Sequence, residues 1–390
     1  MNSSDCVKRV VFYRPNLYSG GAERVIVNKA NTFCEMGYSV HIVLLENRVE
    51  YDLDPRINLH IIGNSRLLIE ENSISGRIIG NLRHLFNSLY ICRQFKITLK
   101  AIENPNEELA AIFVHSSKSF LDLAFFTHPK KIIICHSNKS KLYQSSNYKY
   151  KNLIAVAIAK YVFSREKHIS CVSLGIKEDL IERFGVDKLK THVIPNPFSK
   201  EKIIELSKIA ENEGVKNLAS KKYLIHVGRL SREKRHFDLI EMFRHSKSFL
   251  THSLIIVGEG PERQSIEHYI SKHELTEKVI LAGRMDNPYF LMANADLLIL
   301  SSEYEGLPSV LIEASLLGVP CISSDCEFGP NVILKSNYLF PVGAVSIASK
   351  LIDKSIEIQH STSHDNMDDL YDSVNVCKEY IRIVSEEFIK

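Results

Sequence analysis

The chain has 390 residues, 45% hydrophobic and 24% charged, a globular composition too long for one ordinary core, so two domains are expected. Net charge is only +3, but residues 1–200 hold 28 Lys and Arg against 18 Asp and Glu (net +10), and residues 201–390 hold 21 against 28 (net −7). Eight scattered cysteines without a CxxC pair, no signal-peptide pattern in MNSSDCVKRVVFYRP and no run of about 18 apolar residues argue against a zinc ribbon, a disulfide scaffold and a membrane-spanning helix, and suggest a cytoplasmic chain with reduced core thiols.

In chain order, RVVFYRP (9–15) reads as a strand, followed by a Gly-Gly loop and a helical pattern, AERVIVNKANTFCEMG, that ends on Gly37. YSVHIVLLE (38–46), AIFVHS (111–116), KIIICHS (131–137), HISCVS (168–173) and THVIPN (191–196) continue the strands, with helical stretches between most of them. Such alternation predicts right-handed βαβ units and a parallel sheet. Residues 197–221 are charged and strand-free, and read as a linker plus a surface helix. A second series follows: KYLIHVGRL (222–230), SLIIVGEG (253–260), KVILAGR (278–284), DLLILSS (296–302) and VPCISSD (319–325). Two open α/β domains in tandem are predicted, with ligands at the carboxyl ends of the strands.

The second series carries the chemistry. Gly228 and Arg229 end one strand and Lys234 stands five residues on, a fork and a point charge suited to a phosphate clamp. VGEGPER (257–263) imitates a dinucleotide fingerprint, but Arg263 occupies the third glycine position and the following strand lacks a ribose-binding acid, so a nicotinamide cofactor is rejected. In SSEYEGLPSVLIEA (301–314), Gly306, Leu307 and Pro308 lead into a helix over about 309–318 whose free amides form an anion site. Glu313, one turn in, can accept from a ribose diol; Glu305, ahead of the helix, suits the hydroxyls of a sugar.

EGLPSVLIEA resembles the E-x7-E motif of retaining glycosyltransferases of family 4 (group 1), and HVGRLSREK, VGEGPER and LAGR resemble that family's other donor-domain blocks. NLYSGGAERVIVNKA resembles its N-terminal glycine-rich loop, and SLGIKEDLIERFG followed by VIPNP the segment before its domain crossover. The resemblance implies the α/β GT-B fold: two Rossmann-like parallel-sheet domains facing a cleft, an acceptor domain over 1–196 and a donor domain over 197–370, with a C-terminal helix (371–390) returning to the first domain. It implies that Arg229 and Lys234 take the diphosphate and Glu313 the ribose. Glu305 and the amides of Gly306 to Pro308 would hold the donor sugar. Gly20 and Gly21 would let the backbone approach the diphosphate, with Gly228 and Gly258 in the donor loops and Arg284 near the base. His136 matches the family's histidine beside the sugar. The candidate catalytic set is thus Glu305, Arg229, Lys234 and His136. The chain departs from the family at Val332 and Ala344, where an acid is more usual.

The implied reaction is a retaining hexosyl transfer by front-side displacement, in which the leaving diphosphate helps to remove the acceptor's proton. Asp52-Leu53-Asp54 imitates a metal-binding pair of another fold, but lies in a Pro-containing turn far from the donor blocks. No metal and no cofactor are expected; the nucleotide sugar, UDP by preference, is a substrate. Between Asp122 and Glu166 eight Lys and Arg occur with no acid, and lysines alternate with tyrosines beside the apolar LIAVAIA. This predicts docking of residues 123–165 on an anionic membrane, not on nucleic acid. The combined expectation is a cytoplasmic enzyme, peripheral on the inner face of the membrane, extending a saccharide acceptor carried on polyprenyl diphosphate for a surface polysaccharide or glycan. The alternatives are a transferase for a soluble acceptor and a non-catalytic GT-B partner subunit.

Overall fold

The computed structural model describes residues 6–18, 21–63, 76–116, 122–136, 149–357, 363, 365 and 367–385. The chain divides into two compact units, Met1–Pro197 with Ser373–Lys390, and Phe198–Asp372.

In the first unit, β1 (Val7–Arg14), β2 (Ser39–Leu44), β3 (Asn58–Ile61), β4 (Glu107–Ser116), β5 (Lys131–Cys135), β6 (His168–Cys171) and β7 (Thr191–Val193) form one sheet in the order β3-β2-β1-β4-β5-β6-β7. Every pairing is parallel. The interior strands are unbroken apolar runs because both faces are covered: KIIIC is buried along its whole length. Strand order reverses between β1 and β4, so the loops leaving these two strands part there and open a crevice at their carboxyl ends. The helix Ser373–Ser385 joins this unit, packing on the helix Gly21–Glu35 and on β4. Its buried residues Val376, Cys377, Tyr380, Ile383 and Val384 recur at helical spacing. Tyr380 stacks edge-on against Phe113 at 5.4 Å, and its hydroxyl accepts from Ser170 Oγ at 3.2 Å.

The expected basic surface over 123–165 is smaller than its sequence count suggests. Lys131 is buried, with Nζ 2.8 Å from Glu166 and donating to the carbonyls of Leu123 and Phe126. Lys130 pairs with Glu108 at 2.8 Å. Both partners are remote in sequence, so a local charge count misses them. Exposed Ile158, Lys160 and Tyr161 do occur on the helix Lys149–Arg165; residues 137–148 lie outside the described residues. Among the described residues no helix is long and apolar enough to cross a membrane. Cys6 is exposed and the other seven cysteines are buried, all as free thiols.

The second unit repeats the plan with β8 (Tyr223–Val227), β9 (Ser253–Val257), β10 (Val279–Gly283), β11 (Leu297–Leu300), β12 (Cys321–Ser324) and β13 (Leu339–Phe340), ordered β10-β9-β8-β11-β12-β13 and all parallel. Leu224, Leu254, Ile256, Leu297 and Ile299 meet Leu239 and Phe243 of the helix His236–Arg244 in its core. Here the order reverses between β8 and β11. Residues 197–221 are not a linker with one helix. They form two short helices, Lys200–Leu206 and Glu213–Ala219, capped by Ser199 and Asn212. Asn287 ties down the end of the first, its Nδ2 donating to the carbonyls of Leu206 and Ile209 at 2.9 Å each. Their charged residues face outward while Ile203 and Val215 are buried, which is why composition alone reads as linker.

Candidate active site

β8 and β11 are neighbours at the reversal, and the loops leaving their carboxyl ends are joined by direct hydrogen bonds between residues 233–234 and 301–305. The loop after β8 is held as an extension of the sheet: Gly228 N–H donates to Val257 O and Leu230 N–H to Glu259 O, both at 2.9 Å. A side chain on the facing loop would prevent this. A Cβ on Gly258 (φ +146°) would stand 1.9 Å from Gly228 O, and one on Gly260 2.3 Å from Leu230 O. The glycines of VGEGPER are therefore required by backbone packing, which fixes the segment that presents exposed Arg229.

A short 3-10 turn, Arg232–Lys234, follows and closes on Arg235 in the left-handed region (φ 52°), which releases the helix His236–Arg244. Lys234 is stitched to the loop after β11. Its carbonyl accepts from Ser301 Oγ at 2.7 Å, and Glu233 O accepts from Glu303 N–H at 2.7 Å. Lys234 Nζ lies 2.6 Å from Glu305 Oε1, with side chains 19% and 11% exposed. The same oxygen accepts from Ser302 Oγ at 2.6 Å. Burial pulls the Lys234 ammonium down, but the Glu305 carboxylate outweighs it and leaves the group above the ordinary lysine value. Burial, with the Glu305 charge second, pushes the nearby Cys326 thiol up to about 12, so it stays protonated and inert as a nucleophile.

The Gly-Leu-Pro turn leads into the helix Ser309–Leu316, shorter than sequence suggests, with Pro308 as N-cap. Pro308 carries no N–H, so it cannot be one of the expected amide donors. The donors of this turn are Gly306, Leu307 and the first-turn amides of Ser309 and Val310, which have no intrahelical acceptor. Gly329 (φ +119°) packs the next loop beneath the turn: a Cβ there would lie 2.5 Å from Pro308 Cδ. Glu313 is buried one turn into the helix, and Tyr289 Oη donates to its Oε1 at 3.0 Å. A carboxylate aimed by a buried hydroxyl, beside free helix amides and a Lys–Glu pair, is a place for a polyhydroxylated anion.

Of the residues singled out from sequence, Gly228, Arg229, Lys234, Glu305 to Pro308 and Glu313 thus share the β8–β11 reversal. Arg284 follows β10 at the sheet's edge, its Nη2 3.8 Å from Asp286. In the first unit, Gly21 begins the helix Gly21–Glu35 with nothing within 4 Å of where a Cβ would sit; Gly20 lies outside the described residues. His136 follows β5, its Nε2 2.8 Å from His115 Nδ1. Arg14, at the end of β1, is ion-paired with Glu23 in the first turn of that helix. Asp54, half of the metal-like pair, is committed to Arg56, accepting from its backbone N–H and from Nε at 2.9 Å each. Among the described residues no group of three or more His, Cys, Asp or Glu is placed to hold a metal. Sequence reasoning missed Ser302, Tyr289, Gly329 and the Arg14–Glu23 pair.

Two family profiles match the chain in succession: "Glycosyltransferase Family 4" over residues 19–202 and "Glycosyl transferases group 1" over residues 208–369. An uncharacterized glycosyltransferase of Methanocaldococcus jannaschii is 27% identical over 255 residues, 65% of this chain and 62% of that protein. The N-acetylgalactosamine-N,N'-diacetylbacillosaminyl-diphospho-undecaprenol 4-alpha-N-acetylgalactosaminyltransferase of Campylobacter jejuni is 27% identical over 319 residues, 80% of each chain. The crystal structure of Anabaena HepE in complex with UDP and glucose superposes with a TM-score of 0.71 at 17% identity, covering 97% of this chain and 100% of that one. Two parallel-sheet units with a C-terminal helix returned to the first, and two successive family matches, identify the chain as a glycosyltransferase of GT-B fold related to the family 4 and group 1 enzymes.

Proposed function

We propose that the chain moves one hexosyl group from a nucleotide sugar, UDP-linked by preference, to a saccharide carried on polyprenyl diphosphate, with retention of configuration and without a metal. The observation that carries this reading is the Lys234–Glu305–Ser302 group beside the Ser309–Leu316 helix start, with Glu313, on that same helix, oriented by Tyr289 from the helix Tyr289–Ala293. Arg229, Lys234 and the helix amides would stabilise charge on the departing diphosphate, and Glu313 would hold the ribose. Glu305 would support the cation-like sugar, and the acceptor's proton would pass to the leaving phosphate oxygen. UDP and glucose in the HepE complex support the donor class. The diphospho-undecaprenol in the name of the Campylobacter relative supports the acceptor class, and a role in surface-glycan assembly follows from it.

Such an acceptor places the first unit at an anionic surface on the inner face of the cytoplasmic membrane. The +10 charge of residues 1–200 and the exposed Ile158, Lys160 and Tyr161 support this docking. The test is transfer from UDP-sugars to undecaprenyl-diphosphate-linked saccharide in anionic vesicles, with the product's anomeric configuration read by NMR. An α-linked product from an α-donor is expected, with vesicle binding that falls as salt rises. A β-linked product overturns retention. Transfer to water-soluble acceptors alone, with no vesicle binding at low salt, overturns the lipid-linked acceptor, and no turnover of any donor favours a partner subunit.

A further inference from the structure

The helix Gly76–Ala101 links β3 to β4 and supplies no residue to the candidate site. From residue 72 to residue 102 the sequence has five Lys and Arg and no Asp or Glu. One face of the helix is anchored to the first sheet. Ile91, Cys92 and Phe95 are buried, with Phe95 edge-on to Tyr13 at 5.6 Å and to Phe126 at 5.1 Å. The other face carries Leu89, Tyr90, Arg93, Lys96, Ile97 and Lys100, all exposed. At about 100° per residue these six fall within about 120° of arc. Leu89, Tyr90 and Ile97 are 46%, 42% and 51% exposed, and none of the three cations is ion-paired among the described residues.

A solvated helix face ordinarily mixes acids with bases, which pair at three- and four-residue spacing. Here Arg93, Lys96 and Lys100 stand at that spacing from one another, with no acid to offset their repulsion. Large apolar side chains exposed singly are common; three on one face of a helix, bordered by cations, form a patch that calls for a partner. An anionic lipid surface satisfies both chemistries. Its headgroups take the ammonium and guanidinium groups, whose stems lie along the apolar strip, and the acyl boundary takes the aliphatic side chains, with tyrosine at headgroup level.

The position of the helix supports the same partner. Tyr13, which Phe95 meets, points to the side of the sheet opposite Phe12, and Phe12 packs towards Phe33 of the helix Gly21–Glu35. Phe126 O accepts from Lys131 Nζ, whose partner Glu166 directly follows the helix Lys149–Arg165. The helix Gly76–Ala101 therefore covers the same side of the first sheet as the helix that exposes Ile158, Lys160 and Tyr161. We infer that the face of residues 89–100 is a second membrane-docking surface of the first unit, lying flat on anionic lipid with Lys96 and Lys100 at the headgroups and Leu89 and Ile97 beneath them. The inference deepens the docking proposed above and rests on its premise that the first unit meets an anionic membrane.

The experiment is co-sedimentation of the full chain with vesicles of phosphatidylglycerol and phosphatidylcholine in equal parts, with phosphatidylcholine alone as the neutral control. Lys96→Gln and Lys100→Gln should each lower partitioning by about 5-fold and weaken its salt dependence. Leu89→Ser with Ile97→Ser should lower it by about 10-fold and leave the salt dependence in place. All should melt near wild type, since the altered side chains are exposed. The chain has no tryptophan, so Ile97→Trp gives a sole probe on the face, and Leu250→Trp, at a position 80% exposed in the second unit, a control. On anionic vesicles the first should shift to the blue and be quenched by brominated acyl chains; the second should do neither. Wild type that never binds anionic vesicles overturns this inference and the proposed docking together. Release by Lys160→Gln with Tyr161→Ser, while the variants of residues 89–100 bind as wild type does, overturns this inference alone. An unshifted Ile97→Trp on vesicle-bound protein overturns it too. Loss of a dimer in the variants of residues 89–100, with vesicle binding unchanged, assigns the face to a second copy of the chain and overturns the lipid reading.

Discussion

Lys234 Nζ and Glu305 Oε1 are 2.6 Å apart, although 71 residues separate them in the chain. The pair joins the two loops that leave β8 and β11, so the proposed phosphate cation and the proposed sugar carboxylate are one electrostatic unit. Losing either partner leaves the other half-buried and uncompensated, on top of any loss of contact with a substrate. Lys234→Ala and Glu305→Ala should each lower turnover by about 10²–10³-fold, since each removes charge stabilisation at the departing phosphate or sugar. The double variant should lose much less than the product of the two, with a coupling of about 1–3 kcal/mol. Kinetics on the four proteins of the cycle measure this. Independent, multiplicative losses would mean that the ion pair has no part in the site.

Arg229 offers a contrast, since it is exposed and the sheet holds its backbone through Gly228. Arg229→Ala should lower turnover by about 10²-fold while leaving the melting temperature near wild type. A large loss of stability would mean that the side chain supports the loop and not a ligand.

Glu313 should act on nucleotide binding. With Tyr289 donating to one carboxylate oxygen, removing the charge by Glu313→Gln should weaken sugar-free UDP by about 10-fold or more, the worth of a charge-assisted hydrogen bond. Tyr289→Phe removes only the orienting donor, and should cost less, about 3- to 10-fold. Calorimetry with free nucleotide separates this from effects on the sugar. If Glu313→Gln binds free UDP and GDP as tightly as wild type, another residue holds the ribose.

Much of this was legible in the sequence for local reasons. Runs such as KIIIC and LLIL announce strands buried on both faces, and two glutamates astride Gly-Leu-Pro announce a carboxylate-lined helix start. What could not be read depends on partners remote in sequence. Tyr289 is an ordinary helical aromatic until the fold sets it on Glu313, and Ser302 is one of two adjacent serines until its hydroxyl meets Glu305. Lys131 counts as surface charge until Glu166, 35 residues on, is found buried against it. Gly258 was legible as a loop glycine, but only Gly228 O, 1.9 Å from where its Cβ would be, explains why no other residue serves.

Metal independence is a separate expectation. Transfer should survive excess EDTA, because in the proposed site Arg229, Lys234 and the helix amides would supply the positive field at the diphosphate. Asp54→Ala should cost the Arg56 contact and leave transfer unaffected. Activity lost in EDTA and regained with Mn²⁺ or Mg²⁺ would instead promote Asp52 and Asp54 to ligands.

Acid should act on the second unit through two histidines that lie beneath the Arg229–Lys234 loop. His226 and His236 are buried with their rings 5.0 Å apart. His226 Nδ1 donates to Ile299 O at 2.9 Å, and Nε2 of each ring has no hydrogen-bond partner among the described residues. Burial first, with the Lys234 charge adding to it, lowers His226 to about 4. Burial, then His226 and Lys234, lowers His236 to about 3. Unfolded, both return to about 6.5. Between pH 6.5 and 4 the unfolded chain therefore binds the extra protons, so stability must fall as pH falls through that window, by up to about 1.4 kcal/mol per pH unit for each ring. Lys29 works in another window. Burial lowers it to about 7, so stability should rise from about pH 7 to its unfolded value near 10.4. Urea titrations of the full chain from pH 4 to 7 should show the acid slope, and His236→Leu should flatten it by about one proton. The folded rings themselves take up protons only near pH 4 and below, so any loss of nucleotide affinity through the segment that joins them, which carries Arg229 and Lys234, should begin there and not at pH 6.5. An acid slope that is the same in His236→Leu as in wild type would show that this ring is not held neutral by the fold.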